Sequence, residues 1–166
     1  MQCVNMESFE CPTLIPAKNT EVAPVRPCLD DLDALAECLQ GYVLDCFNEQ
    51  LSKDDSLKEA QSFIDNPKSY VIKLDGKVVS MACSTRETET HIAVNHVYTS
   101  PEYRGQGFAA AIVAHICKLI LDGGKIPLLY TDLANPSSNK AYKNVGFIER
   151  GKVNEIKLKW SEQNVI

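Results

Sequence analysis

The stretch from residue 91 to residue 133 constrains the fold most, because it joins a strand, a glycine-rich loop, a helix and a second strand. "HIAVNHVYT" and "IPLLYTDL" are rich in residues that favour strands. Between them, apolar residues from about Gly105 to Leu121 predict one long helix, which Gly123 and Gly124 end. A helix that connects two strands in this way indicates an α/β architecture.

The remaining patterns complete this prediction. "DDLDALAECLQGYVLDCF" and the stretch from Asp54 to Asp65 carry apolar residues at helical spacing. "SYVIKLDGKVVSMAC" predicts a hairpin around Asp75-Gly76, "VAPVRP" and "VNEIKLKW" predict strands, and "NPSSNKAYKNVGF" predicts a short helix. We expect a single α/β domain over residues 22–166, with a mixed, mostly antiparallel central sheet flanked by helices. Residues 1–21 lack a clear period and are expected to form an N-terminal extension.

Composition narrows the possible partners and compartment. The chain has 166 residues and a net charge of −5, which argues against nucleic acid as the main partner. Its longest apolar run is too short to span a bilayer, and its first residues do not resemble a signal peptide, so we expect no membrane association. Its seven cysteines include no Cys-x-x-Cys pair. This favours a reducing, cytoplasmic location without a disulfide framework or a bound metal.

The glycine-rich loop is the candidate binding feature. It follows a strand and enters a helix whose N-terminus exposes unpaired N–H groups, an arrangement that suits phosphate or pyrophosphate. Gly105 and Gly107 would let a ligand approach the backbone, and Arg104 adds a positive charge. Two other interpretations remain open: glycines that only allow tight packing, and a dinucleotide site, because Gly105-x-Gly107-x-x-Ala110 loosely matches that fingerprint.

Two motifs in register extend the interpretation beyond the loop. Arg104-x-x-Gly107-x-Ala109 resembles the acyl-CoA loop of the GNAT superfamily of N-acetyltransferases, and "NPSSNKAYKNVGF" is similar to its second cofactor motif. "VRPCLDDLDALAECL" resembles the first strand and helix of that family. The resemblance implies an enzyme that moves an acetyl group from acetyl-CoA to a primary amine by direct attack in a ternary complex. The acceptor would be a small molecule or a peptide, and the family also allows a homodimer.

The resemblance implies where acetyl-CoA binds. Loop N–H groups would hold the pyrophosphate, the backbone of the preceding strand would run beside the pantetheine arm, and the strand after the helix would splay away to leave a cleft. Two asparagines of the second motif would bind the arm from the other wall. The residues so assigned are Val97, Tyr98, Thr99, Arg104, Gly105, Gln106, Gly107, Phe108, Ala109, Asn135, Asn139 and Tyr142.

The resemblance also implies catalytic roles. Tyr142 would protonate the leaving thiolate, and a main-chain N–H near Tyr98 would stabilise the thioester oxygen. The base is open: some family members use a glutamate where this sequence has Ala93. Asn95 could hold a water, and His96 is the nearby group that titrates in the useful range. Strict alternation puts His96 beside Tyr98 and on the face opposite Asn95. The missing carboxylate keeps a non-catalytic acyl-CoA-binding module as an alternative.

Overall fold

The computed structural model describes residues 2–16, 21–132 and 136–157. The strands and helices follow the predicted order closely. In chain order they are β1 (Gln2–Glu10), α1 (Leu32–Phe47), α2 (Lys53–Asp65), β2 (Ser69–Leu74), β3 (Lys77–Glu87), β4 (His91–Thr99), α3 (Phe108–Asp122), β5 (Ile126–Asp132), α4 (Pro136–Val145) and β6 (Ile148–Lys157).

The strands form one six-stranded sheet in the order β2-β3-β4-β5-β1-β6. Neighbouring strands are antiparallel except for β4 and β5, which are parallel. One hydrophobic cluster joins α1 and α2 to one face of the sheet, and a second cluster joins α3 to the other face. The predicted α/β fold with a mixed, mostly antiparallel sheet is therefore confirmed.

The N-terminal segment differs from the expected extension over residues 1–21. Its residues Gln2–Glu10 form β1, which lies inside the sheet between β5 and β6. Phe9 is fully buried in the cluster under α3. This strand is difficult to predict from the sequence because polar residues occur on both of its faces. Glu7 is buried on the same face as Phe9, and Ser8 lies on the opposite face. The residues of β1 therefore show a polar composition without a period.

The structure also differs from two smaller predictions. The short strand expected in "VAPVRP" reduces to one isolated bridge between Val25 and Val71. The third helix begins at Phe108 rather than near Gly105, because Gly105 and Gly107 have left-handed φ angles of 76° and 86°. Within the described residues, every helix is too short or too polar to cross a lipid bilayer.

Candidate active site

A cleft opens in the sheet between the two parallel strands. β4 and β5 pair at His91–Ile126, Ile92–Pro127 and Ala93–Leu128, and the register ends there. β4 continues to Thr99 and β5 continues to Asp132, where β5 stays paired with β1. The two strands therefore diverge toward their C-terminal ends. This is the geometry that an extended ligand arm needs in order to add to β4 as a further strand.

A β-bulge in β4 changes which side chains line this cleft. Across β3, Met81 faces Tyr98 and Cys83 faces Asn95, so β4 carries one extra residue in this interval. His96 lies in the bulge with a φ of 52°, which is uncommon for a residue with a side chain. Val94 packs in the cluster under α3, whereas Tyr98 packs in the cluster under α1 and α2. The strict alternation expected along "HIAVNHVYT", which put His96 on the face opposite Asn95, is therefore wrong. Asn95 lies across from Cys83 of the cluster under α1 and α2, and His96 faces the same two helices.

His96 lies against aromatic side chains of the first two helices. Its ring centroid is 5.1 Å from that of Tyr42 on α1 and 6.3 Å from that of Phe63 on α2. Its Nδ1 is 3.5 Å from the Cys83 Sγ. Burial lowers the pKa of His96, so the ring is neutral at pH 7. The side-chain amide of Asn95 donates a hydrogen bond to the Thr85 hydroxyl on β3.

The glycine loop follows β4 through a short 3₁₀ turn at Pro101–Tyr103. Gly107 is the N-cap of α3, and its carbonyl accepts a hydrogen bond from Ala111 N at 3.0 Å. The N–H groups of the first turn point out of the helix end, as they do at any helix N-terminus. A Cβ added at Gly105 would meet no atom within 4 Å. Packing therefore does not explain Gly105, whereas a positive φ and open access to the backbone do.

Arg104 is held beside the end of β4. Its Nε donates to the Thr99 carbonyl at 2.9 Å, and its Nη2 donates to Asp45 Oδ2 on α1 at 2.6 Å. The guanidinium carbon lies 5.5 Å from the centroid of the Tyr98 ring, a cation–π distance. Arg104 therefore joins the loop to the C-terminal part of α1. Asp45 cannot be recognised as a partner of Arg104 from the sequence, because no local pattern links residues so far apart in the chain.

The strand residues assigned to the pantetheine arm have distinct surroundings. Val97 packs at the edge of the cluster under α3. The Thr99 hydroxyl lies 2.9 Å from the Ser80 hydroxyl, in a hydrogen bond that either group can donate. The Tyr98 ring packs against α1 at Gly41, where an added Cβ would lie 2.6 Å from Tyr98 Cζ and closer still to its oxygen. A glycine in the middle of a predicted helix was the available signal of this close approach.

Gly41→Ala is expected to lower the free energy of unfolding by about 1–3 kcal/mol, because the methyl group would overlap Tyr98. Helix propensity alone predicts the opposite sign, a gain of up to about 1 kcal/mol. Urea denaturation of both proteins measures the difference. In a Tyr98→Ala background the penalty should disappear. A Gly41→Ala variant as stable as the wild type, or more stable, would contradict this packing.

The second motif lies on α4 on the other side of the cleft. Tyr142 packs against the core, with its ring centroid 6.0 Å from that of Phe147. The Thr131 hydroxyl of β5 donates to Asn139 Oδ1 at 2.9 Å, which ties α4 to the diverging strand. Asn135 lies outside the described residues. Gln106 and Ala109 flank Gly107 and Phe108 in the loop and the first turn of α3.

The cleft brings together tyrosines from opposite faces of the sheet. Burial, and then the nearby Cys46 thiol on α1, raise the pKa of Tyr142 above its ordinary range. Burial is also the main cause of the raised pKa of Tyr42, with contributions from Cys46 and Tyr142. These contributions connect a side chain on α4 with side chains on α1. Tyr42 and Cys46, four residues apart on one helix face, were missed by the sequence analysis.

Comparison with known proteins identifies the family. The model of the acetyltransferase (GNAT) family matches residues 33–147. A GNAT-family protein of Novosphingobium aromaticivorans is 18% identical with a TM-score of 0.69, over 93% of this chain and 63% of that one. A GNAT acetyltransferase of Colwellia psychrerythraea is 13% identical with a TM-score of 0.73, over 93% of this chain and 56% of that one. A GNAT-family acetyltransferase of Bacillus anthracis is 14% identical with a TM-score of 0.65, over 81% of this chain and 82% of that one.

This chain spans less than two thirds of the first two of these structures, and at such low identities the likeness concerns the fold. The comparison with curated proteins gives no match. The family model covers more than half of the chain, and the cleft and the glycine loop lie within the matched residues. The chain therefore belongs to the GNAT family of acetyltransferases.

Proposed function

We propose that the protein transfers an acetyl group from acetyl-CoA to a primary amine, by direct attack in a ternary complex. The observation that carries this proposal is the position of the glycine loop. The exposed N-terminus of α3 follows the C-terminal part of β4, which has already separated from β5 after Ala93. A ligand with a pyrophosphate group and an extended arm fits this arrangement of anion site and open strand edge.

The residues present fit acetyl-CoA. The N–H groups of residues 106–109 would hold the pyrophosphate, and Gly105 leaves open space for it. The main chain of residues 97–99 would pair with the amides of the pantetheine arm, because β5 has left that edge of β4. Asn139, held by Thr131, would bind the arm from α4, and Asn135 precedes the same helix. Arg104 contributes positive charge at the mouth of the cleft.

Acetyl-CoA supplies the activated thioester, and the protein supplies the proton transfers. Tyr142 would donate its phenolic proton to the departing thiolate, because a phenol is protonated at neutral pH and burial raises the pKa of Tyr142 further. A main-chain N–H near Tyr98 would stabilise the thioester oxygen. The amine would enter from the side of α1 and α2, where Asn95 and the neutral His96 lie. His96 or a water on Asn95 would take the proton of the amine.

The acceptor is proposed to be a small-molecule or peptide amine rather than a nucleic acid, since the net charge is −5. We also propose a cytoplasmic location, because Cys11, Cys28, Cys38, Cys46, Cys83 and Cys117 are free thiols. A homodimer is a further proposal from the family resemblance.

A non-catalytic acyl-CoA-binding module is the second candidate for the function. It is favoured by Ala93 at the position of the family glutamate and by the hydrogen bond that the Asn95 amide already makes.

Calorimetric titration tests the proposal at its most specific residues. Acetyl-CoA and CoA should bind with dissociation constants in the micromolar range, and NADH should bind more weakly than either. Release of the CoA thiol on addition of primary amines then separates the enzyme from the binding module. Binding of acetyl-CoA without turnover of any amine would favour the module. Tighter binding of NADH than of CoA would instead favour a dinucleotide-binding protein.

A further inference from the structure

The side chain of Arg104 has two possible anionic partners at the mouth of the cleft. One is Asp45 on α1, to which Nη2 donates at 2.6 Å. The other, if the proposed function holds, is the pyrophosphate at the loop that starts at the next residue. Arg104 and Asp45 are about half exposed, at 48% and 45%, so solvent can reach the pair and it can open. Exposed ion pairs of this kind are weak.

The rest of the guanidinium is anchored independently of Asp45. Nε donates to the Thr99 carbonyl, and the group lies over the Tyr98 ring. Loss of Asp45 would therefore leave Arg104 at the end of β4 but free its outer nitrogens for another acceptor. The carboxylate also places negative charge near the position that the pyrophosphate would occupy, and like charges repel. Both effects predict that Asp45 opposes cofactor binding.

We propose that the Asp45 carboxylate competes with the pyrophosphate of acetyl-CoA and CoA for Arg104, and thereby speeds release of CoA. This inference rests on the proposed function. When CoA leaves, Asp45 recaptures the guanidinium. A carboxylate that competes for Arg104 increases the rate at which CoA leaves the site. This matters for turnover because product release is the rate-limiting step of many enzymes.

A double-mutant cycle tests the competition. The dissociation constants of acetyl-CoA and CoA are measured by calorimetry for the wild type, Asp45→Asn, Arg104→Gln and the double variant, and CoA release is followed by rapid displacement. Asp45→Asn should bind both ligands about two- to fivefold more tightly, which is the range for an exposed ion pair, mostly through slower release. In the Arg104→Gln background the same substitution should have little effect.

Two further variants serve as controls. Asp45→Glu keeps the charge and should behave like the wild type. Asp33→Asn removes one negative charge from the exposed first turn of the same helix, twelve residues or about 18 Å along the axis before Asp45, and should leave both affinities unchanged. Equal tightening by Asp33→Asn would show a general charge effect and overturn the proposal.

The cycle also separates this inference from the proposed function. Weaker binding by Asp45→Asn would overturn the inference, because Asp45 would then organise the loop rather than compete with the ligand. Equal tightening in both backgrounds would also overturn it. A wild-type protein that binds neither CoA form would overturn the proposed function together with the inference. Normal wild-type binding that Asp45→Asn leaves unchanged overturns the inference alone.

Discussion

Gly107→Glu is expected to lower the affinity for acetyl-CoA by about a hundredfold or more. The substitution puts a carboxylate at the N-cap of α3, where the N–H groups of the first turn face outward. Loss of two charge-assisted hydrogen bonds at about 1.5 kcal/mol each gives a factor of about a hundred. Calorimetric titration measures the dissociation constant. Repulsion between the carboxylate and the pyrophosphate adds to the effect.

The chain offers a matched control at the other end of the same helix. Gly124 has a φ of 78°, close to the 86° of Gly107, and a Cβ added there would meet no atom within 4 Å. Gly124→Glu therefore imposes a similar left-handed strain of about 1–2 kcal/mol without approaching the cleft. We expect it to lower the melting temperature and leave acetyl-CoA binding intact. If both variants lost binding equally, the loss at Gly107 would reflect unfolding rather than a blocked anion site.

Tyr142→Phe is expected to lower kcat by about a hundredfold to a thousandfold, the usual contribution of a positioned proton donor. The KM for acetyl-CoA should change little, because the ring and its packing against Phe147 remain. The reaction is followed by release of the CoA thiol, with the amine that gives the highest wild-type rate. Because burial raises the pKa of Tyr142, ionisation of this phenol should not reduce kcat between about pH 7 and pH 9.

Tyr70→Phe is the matched control for Tyr142→Phe. Tyr70 lies on β2 at the far edge of the sheet and packs against His115 with ring centroids 4.6 Å apart. It should retain wild-type kcat and KM. A Tyr142→Phe protein with kcat near the wild-type value would remove Tyr142 from the chemistry and leave protonation of the thiolate to solvent. A rise in KM without loss of kcat would give Tyr142 a binding role instead.

Local signals were enough to predict most of the secondary structure. The hairpin was predicted from Asp75-Gly76, and both residues have the positive φ angles that a tight turn of this type requires. The helices have apolar residues at regular spacing, and the structure places them where the sequence predicts within a few residues. The glycine loop and α4 were located correctly because their motifs combine turn, cap and helix signals within one short stretch.

The prediction was incomplete where the structure depends on residues far apart in the chain. The bulge at His96 adds one residue to β4, so the residues after it point to the opposite face from the one that strict alternation predicts. The sequence "HIAVNHVYT" does not indicate the bulge, because the residue with the left-handed φ angle is a histidine and not a glycine. The ion pair between Asp45 and Arg104 exists because α1 packs against the end of β4. The contribution of Tyr142 to the raised pKa of Tyr42 likewise links α4 to α1, about a hundred residues apart in the chain.

The central position of β1 has a consequence for the order in which the chain folds. β1 is synthesised before both of its partner strands, because its residue Glu10 pairs with Leu128 of β5 and Ile148 of β6, about a hundred residues or more later in the chain. Pairing over such distances closes large loops and is slow. During synthesis, β1 must stay unpaired until both partners have left the ribosome. We therefore expect the hairpin and the first two helices to form early, and the half of the sheet that holds β1 to assemble only after β5 and β6 have been synthesised.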